Sequence, residues 1–369
     1  MDKAKVYYTN LRTVMGDSLI EKLERLVKKA GMMNIDFNQK YTVIKVHFGE
    51  PGNLSYLRPN FAHRIVDLIK KAGGKVYLSD CNTLYVGRRA NGLDHLEAAY
   101  ENGYNPFQTG CHIIIGDGVK GLDETLVPID GKHVKEAKIG KAIMEADNFI
   151  SLTHFKGHEA TGFGGALKNI GMGCGSRAGK MEQHYSGKPK VNVSKCKKCH
   201  ACIKNCAHGA ISFGEDGIAQ IDINKCVGCG RCIGSCNFHA ISPRQGSAND
   251  LLNEKIAEYA WAVVKDRPNF HISIVIDISP NCDCHDENDL QIVPNVGMFA
   301  SFDPVALDVA CADAINRMPV IPGSWMDDVD KSHHDHFIDA HPDTNWKTCV
   351  AHAKEIGLGN DEYELIEVK

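Results

Sequence analysis

Long apolar runs are missing from this chain. No stretch approaches the roughly 20 residues that a membrane-spanning helix needs. The opening Met1-Asp2-Lys3-Ala4-Lys5 leads into Val6-Tyr7-Tyr8 without the apolar centre of a signal peptide. These absences make the cytoplasm the expected compartment and exclude a membrane partner. Strong charge of one sign is also missing. The balance of 42 Lys/Arg against 46 Asp/Glu gives a net charge of −4, which offers nucleic acid no electrostatic footprint. The standard nucleotide loops are absent too. Gly162–Gly175 is dense in glycine, but it contains no G-x-G-x-x-G triplet. For Gly179-Lys180, a Walker loop would need Gly where Cys174 stands and Ser or Thr where Met181 stands. The segment suits either an unusual phosphate or flavin cradle, or a tight turn that lets a helix pack closely.

Cysteine, by contrast, is abundant, with 15 in 369 residues. In a reducing compartment that points to metal or redox chemistry rather than disulfides. Eight of them form two copies of one spacing: Cys196-x-x-Cys199-x-x-Cys202-x-x-x-Cys206 and Cys226-x-x-Cys229-x-x-Cys232-x-x-x-Cys236. A zinc site would use four ligands, usually two C-x-x-C pairs with a longer loop between them. Two tight triplets, each with a fourth thiol, suit two [4Fe–4S] cubanes instead. In the bacterial ferredoxin arrangement three cysteines of one run hold a cluster and the fourth reaches the other. The expected sets are Cys196, Cys199, Cys202 and Cys236, and Cys226, Cys229, Cys232 and Cys206. Ala207–Ile211 and Phe213 correspond to Asn237–Ile241 in the second copy. The Pro usual after each fourth cysteine is replaced by Ala207 and Asn237, which leaves the backbone there less constrained.

Before and after these runs, helical and β-rich segments alternate. Helical periodicity marks 17–29, 58–72, 93–101, 137–146, 250–265 and 304–315. Strands are expected over 41–48, 75–79, 112–115, 148–153, 271–279, 295–300 and 363–368. This alternation predicts an α/β core with a largely parallel sheet. Pro189 and Pro243 bracket the cysteine runs. The simplest organisation is one discontinuous core domain, 1–188 and 244–369, interrupted by an inserted α+β ferredoxin-like domain over 189–243. Two independent α/β domains are the alternative. Lys190–Pro243 carries seven Lys/Arg and three Asp/Glu, whereas Cys282–Asn345 carries two and thirteen. That asymmetry fits two solvated faces, or a basic module docked on an acidic one.

Two further segments follow strands, where open α/β sheets place binding residues. They are His154-Phe155-Lys156-Gly157-His158 and Asn281-Cys282-Asp283-Cys284-His285. Together with Cys174 they make Cys174, Cys282, Cys284, His154 and His158 a soft-ligand set for a transition metal or a third cluster. Cys81 is a weaker addition. Cys111, Cys311 and Cys349 read as buried thiols. Ser332-His333-His334-Asp335-His336 reads mainly as a solvated acidic loop, with metal binding as the lesser alternative.

Several of these segments, with Val46–Asn53, Gly164–Lys180 and Ser301–Asp308, resemble a prokaryotic group of iron–sulphur proteins that carry the domain-of-unknown-function 362 core, here with a ferredoxin module inserted. The resemblance covers nearly the whole chain. It implies cytoplasmic, often anaerobic, redox work and supplies no reaction. The resulting expectation is an oxidoreductase that passes electrons through two [4Fe–4S] clusters to a metal, cluster or flavin site in the core. Lys156, Lys168 and Asp303 are the candidates for contact with a small-molecule substrate, and a redox partner protein is implied. A non-enzymatic electron carrier or a cluster- or metal-delivery scaffold is the alternative.

Overall fold

The structure is a computed structural model that describes residues 3–369, apart from 86, 186–187, 207, 227–230, 237, 239, 244–248 and 328. Its centre is an eight-stranded sheet. In spatial order the strands are Tyr363–Glu367, Ala4–Thr9, Gly297–Ser301, Asn269–Val275, Asn148–His154, Tyr41–Lys45, Lys75–Asp80 and Ile113–Ile115. Gly297–Ser301 runs antiparallel to both neighbours, and every other adjacent pair is parallel.

Alternation along the strands builds two apolar layers. Val43, Tyr77 and Phe149 face one layer, and Ile44, Leu78 and Ile150 face the other. Helices Leu19–Lys29 and Pro59–Lys71 cover the second face with Leu23, Leu26, Ile65 and Ile69. The first of these helices begins at a capping box. Ser18 Oγ accepts from the Glu21 amide, and the Glu21 carboxylate accepts from the Ser18 amide at 2.6 Å. Helices Asn249–Val264, Pro304–Asn316 and Ala166–Cys174 cover the first face. None of the helices among the described residues is long and apolar enough to cross a membrane.

One expected helix, 137–146, is mostly something else. Glu136–Gly140 is a strand paired antiparallel with Glu124–Pro128, and only Lys141–Met144 is helical. Ala137 and Ile139 are buried while Lys138 points to Glu182 at 2.8 Å. The period there is two, and Gly140 ends it.

The glycine-dense segment forms the strand Gly162–Gly164 and the helix Ala166–Cys174. Its glycines allow close packing. A Cβ on Gly171 would lie 2.1 Å from the Ile256 carbonyl oxygen, so the helix Asn249–Val264 can approach only a glycine. At the start of Ala166–Cys174, the Asp308 carboxylate accepts from the amides of Ala166 at 2.6 Å and Leu167 at 2.9 Å. Those amides are therefore not free for a phosphate.

Residues 189–243 have a repeated architecture. Strand Pro189–Val191, helix Ala201–Lys204 and strand Ile211–Phe213 recur thirty residues later as Ala219–Ile221, Arg231–Gly234 and Ile241–Pro243. The strands pair across the repeat. Pro189–Val191 runs antiparallel to Ile241–Pro243, and Ile211–Phe213 to Ala219–Ile221. Pro189 lies opposite Pro243, so the two ends of the segment meet. Cys202, Ile211, Ala219, Cys232 and Ile241 form a small apolar cluster of their own.

Candidate functional site

Sequence neighbours at the ends of parallel strands converge on one edge of the sheet. The chain leaving Asn148–His154 is tied to the chain leaving Asn269–Val275 by backbone hydrogen bonds. Phe155 donates to Ile274 at 3.1 Å and Gly157 to Ser279 at 2.9 Å. A Cβ on Gly157 would sit 2.0 Å from the Pro280 carbonyl oxygen, so this approach needs glycine. The result brings His158, Cys282 and Cys284 together, with their ligand atoms within 4.8 Å of one another. Glu159, Cys284 and His285 form an overlapping group of the same size.

Asp283 is the anchor of this loop. It is fully buried, and its carboxylate accepts from His154 Nδ1 at 2.9 Å, with Lys156 Nζ at 3.3 Å. Burial would raise its pKa, but the His154 and Lys156 charges outweigh that and hold it below the usual carboxylate range. Its backbone carbonyl also accepts from the Glu50 amide at 2.9 Å. His154 Nε2 faces the Ile276 carbonyl at 2.7 Å. Both ring nitrogens of His154 are thus spent on acceptors, and neither is left for a metal. Cys174 also lies outside the group. It is buried at the far end of the Ala166–Cys174 helix, its carbonyl accepts from the Cys81 thiol at 3.4 Å, and burial pushes its own thiol up to about 11.

The two grouped thiols are unlike each other. Cys282 accepts from the Cys284 thiol and is further stabilised as thiolate by Lys168, Lys156 and His158, so its pKa falls well below the ordinary thiol value. Lys168 Nζ lies 3.5 Å from Cys282 Sγ. Cys284 shifts upward, because its hydrogen bond to Cys282, burial and the Cys282 charge all oppose a second thiolate. His158 Nδ1 accepts from the amides of Ala160 at 3.0 Å and Thr161 at 3.2 Å, which leaves Nε2 to serve the sulfur. At the rim, Glu159 pushes His285 up to about 9, while burial fails to offset the His158 and His285 charges that bring Glu159 down to about 2.

A cavity of about 290 Å³ opens beside this cluster. Lys156 and Lys168 line it, along with Lys45, Arg89, Lys180 and His47. The Lys45–Asp80 ion pair at 3.0 Å and the Arg89–Glu50 pair at 2.8 Å stiffen its wall. Asp303 has a different task. Its carboxylate caps the helix Pro304–Asn316 by accepting from Val305 and Ala306 at 2.9 Å, and from Asn360 at 2.7 Å. The histidines at 333–336 bring no group of three metal donors among the described residues. His333 Nδ1 pairs with Asp339 at 2.9 Å, and His336 Nε2 faces the Met318 carbonyl at 3.0 Å.

Among the described residues no disulfide joins the cysteines of the repeated segment or those of the core. A narrow cleft there is lined by Cys196, Cys199, Cys202 and Cys236, closed by Phe213, Phe238 and Ile241. Lys198 and His200 take left-handed φ of 58° and 60°, which coils the chain tightly between the first three thiols. Glycines 228 and 230 stand at the equivalent positions of the second copy. Cys206 Sγ accepts from the Ala210 amide at 3.4 Å, and Cys236 Sγ from the Ala240 amide at 3.3 Å. Cys229 lies outside the described residues.

A family described as Domain of unknown function (DUF362) matches residues 42–313. The chain belongs to that family. Among solved structures it is similar to a lactate racemase apoprotein from Thermoanaerobacterium thermosaccharolyticum, at 13% identity and a TM-score of 0.39, covering 74% of this chain and 51% of that one. A structural-genomics protein from Thermotoga maritima gives 11% identity and a TM-score of 0.41, covering 81% and 58%. The chain thus spans between half and three-fifths of the length of these two structures. Comparison with the curated proteins gives no match.

Proposed function

We propose that this protein is an iron–sulphur oxidoreductase, with residues 189–243 as a two-cluster ferredoxin module inserted in a core formed by 1–188 and 244–369. The observation that carries this reading is the cleft shared by Cys196, Cys199 and Cys202 of one copy and Cys236 of the other. That crossing is what a bacterial two-cluster arrangement requires. The thirty-residue repetition then makes Cys226, Cys229, Cys232 and Cys206 the second set. Clusters held by these thiolates supply one-electron transfer. The chain's own part is to fix the sulfurs, to donate the Ala210 and Ala240 amides to two of them, and to shield one set with Phe213, Phe238 and Ile241.

The core cluster suits a transition metal or a further cluster as the second site. Cys282 and Cys284 offer two soft thiolates, and His158, Glu159 and His285 are the nitrogen and oxygen donors within reach. Binding there would release the thiol and imidazole protons that now hold the group together. The glycine-dense segment does not supply a flavin phosphate cradle, since Asp308 occupies the helix amides and the glycines serve close packing.

The test separates the two sites. Replace all eight module cysteines with Ser, reconstitute anaerobically, and measure bound metal per chain. One centre should remain, and a further Cys282→Ser change should abolish it. If no metal remains, and Cys282→Ser in the parent chain changes nothing, the core holds no centre.

A further inference from the structure

We propose that the cavity beside Cys284 is a binding site for a small organic anion, a carboxylate with an apolar body. It rests on the preceding reading only in placing that ligand next to the core centre. At about 290 Å³ the cavity lies at the lower end of small-molecule pocket sizes.

The lining mixes two chemistries. Leu84, Met172, Leu252 and Ile256 contribute apolar surface. Five cations share the lining with them: Lys45, Arg89, Lys156, Lys168 and Lys180. Asp80 and Glu159 are the carboxylates of the lining. Three of the cations have carboxylates of their own at ion-pair distance: Lys45 has Asp80, Arg89 has Glu50 and Lys156 has Asp283. Lys180 is held by the Gly173 and Gly175 carbonyls at 3.3 and 2.6 Å. Lys168 differs from all four. Among the described residues its side chain makes one hydrogen bond, 3.5 Å to the Cys282 sulfur, and the residue is only partly buried.

Two imidazoles on the same lining, His47 and His184, are shifted down chiefly by burial, with cationic neighbours adding to it. Burial first and the Arg89 guanidinium second hold His47 well below its usual value. Burial, then His158 and Lys168, bring His184 down to about 3. Thr83 is buried on the wall, and its hydroxyl has no hydrogen-bond partner among the described residues. An ammonium without a carboxylate at ion-pair distance, within a set of cations and beside four apolar side chains, matches an anionic head on an apolar body. A neutral isostere lacks the first match, and inorganic phosphate lacks the second.

The experiment titrates the anaerobically reconstituted full chain with 2-naphthoate and with 2-naphthamide, following ligand fluorescence, and repeats the naphthoate titration against inorganic phosphate. Naphthoate should bind at least tenfold tighter than the amide, because a hydrogen bond to a charged group contributes about 1.5–3 kcal/mol. Equimolar phosphate should not displace it. Lys168→Gln should bring acid and amide within about threefold of each other. Equal binding of acid and amide by the parent chain overturns the proposal, and so does displacement by phosphate or an unchanged preference in a folded Lys168→Gln chain. The parent comparison stands even where that variant fails to fold. Metal content measured on the same samples separates the two readings. A chain with its core centre and no naphthoate binding loses only the anion site. A chain that prefers naphthoate but holds no core metal loses only the centre.

Discussion

Asp283→Asn is the sharpest perturbation of the core loop. The parent carboxylate is buried, with His154 Nδ1 at 2.9 Å and Lys156 Nζ at 3.3 Å. The amide keeps the size and removes the charge, so His154 and Lys156 lose their buried carboxylate partner. Removing one partner of a buried pair costs about 3–5 kcal/mol, a large part of the roughly 5–15 kcal/mol that holds a domain folded. Unfolding entropy of about 2.1 cal/mol/K per residue, over a chain of this length, turns about 4 kcal/mol into a fall in Tm of about 5 °C. Differential scanning fluorimetry of the variant, with the exposed Glu287→Gln change as control, checks this. The Cys282–Cys284 turn should loosen with it, so reaction of Cys282 with a thiol probe should change in the same variant. A melting point within about 1 °C of the parent, with unchanged thiol reactivity, would show that Asp283 does not hold the loop.

Other changes probe other links. Lys45→Met leaves Asp80 buried without its 3.0 Å partner and should cost about 3 kcal/mol in urea unfolding, since Arg89 and His95 stand farther off at 3.8 Å. Burial raises Asp308 to about 7. Its folded pKa lies above its unfolded one, so its contribution to stability is full below about pH 4 and is lost as pH rises through about 7. Asp308→Asn should therefore flatten the decline in stability between those limits, measured by urea melts across the range. Cys196→Ser should remove about half of the module iron, because one cubane of two loses a ligand.

Seven of the eight sheet strands were legible from their dense apolar runs, Ala4–Thr9 was not expected as a strand, and the helices Leu19–Lys29 and Pro59–Lys71 were legible from their periodicity and, for the second, a Gly-Gly stop. The meeting of 154–158 with 281–285 followed from where each leaves a parallel strand. The helical expectation over 137–146 failed because Lys-Ile-Gly-Lys-Ala-Ile-Met spaces apolar residues as a helix would, while pairing with Glu124–Pro128 decides the backbone. Within the site, sequence could name His154 as a candidate ligand but not see that Asp283 and the Ile276 carbonyl take both its nitrogens. Lys45, Arg89, Lys180 and Glu159 gave no signal. Lys45, Arg89 and Glu159 owe their places to partners far away in the chain, Lys180 is tied to the nearby Gly173 and Gly175 carbonyls, and a single charged residue carries no spacing. Asp303 sits before Pro304, the sequence mark of a helix cap, and that mark was the better guide to its role.

Iron and acid-labile sulfide analysis of the anaerobically reconstituted chain tests the central claim most directly, with paramagnetic resonance of the reduced protein alongside. The two cysteine sets predict about 8 Fe and 8 sulfide bound by the module, with magnetically coupled signals from two neighbouring cubanes. Stoichiometric zinc with no iron after reconstitution would contradict the account.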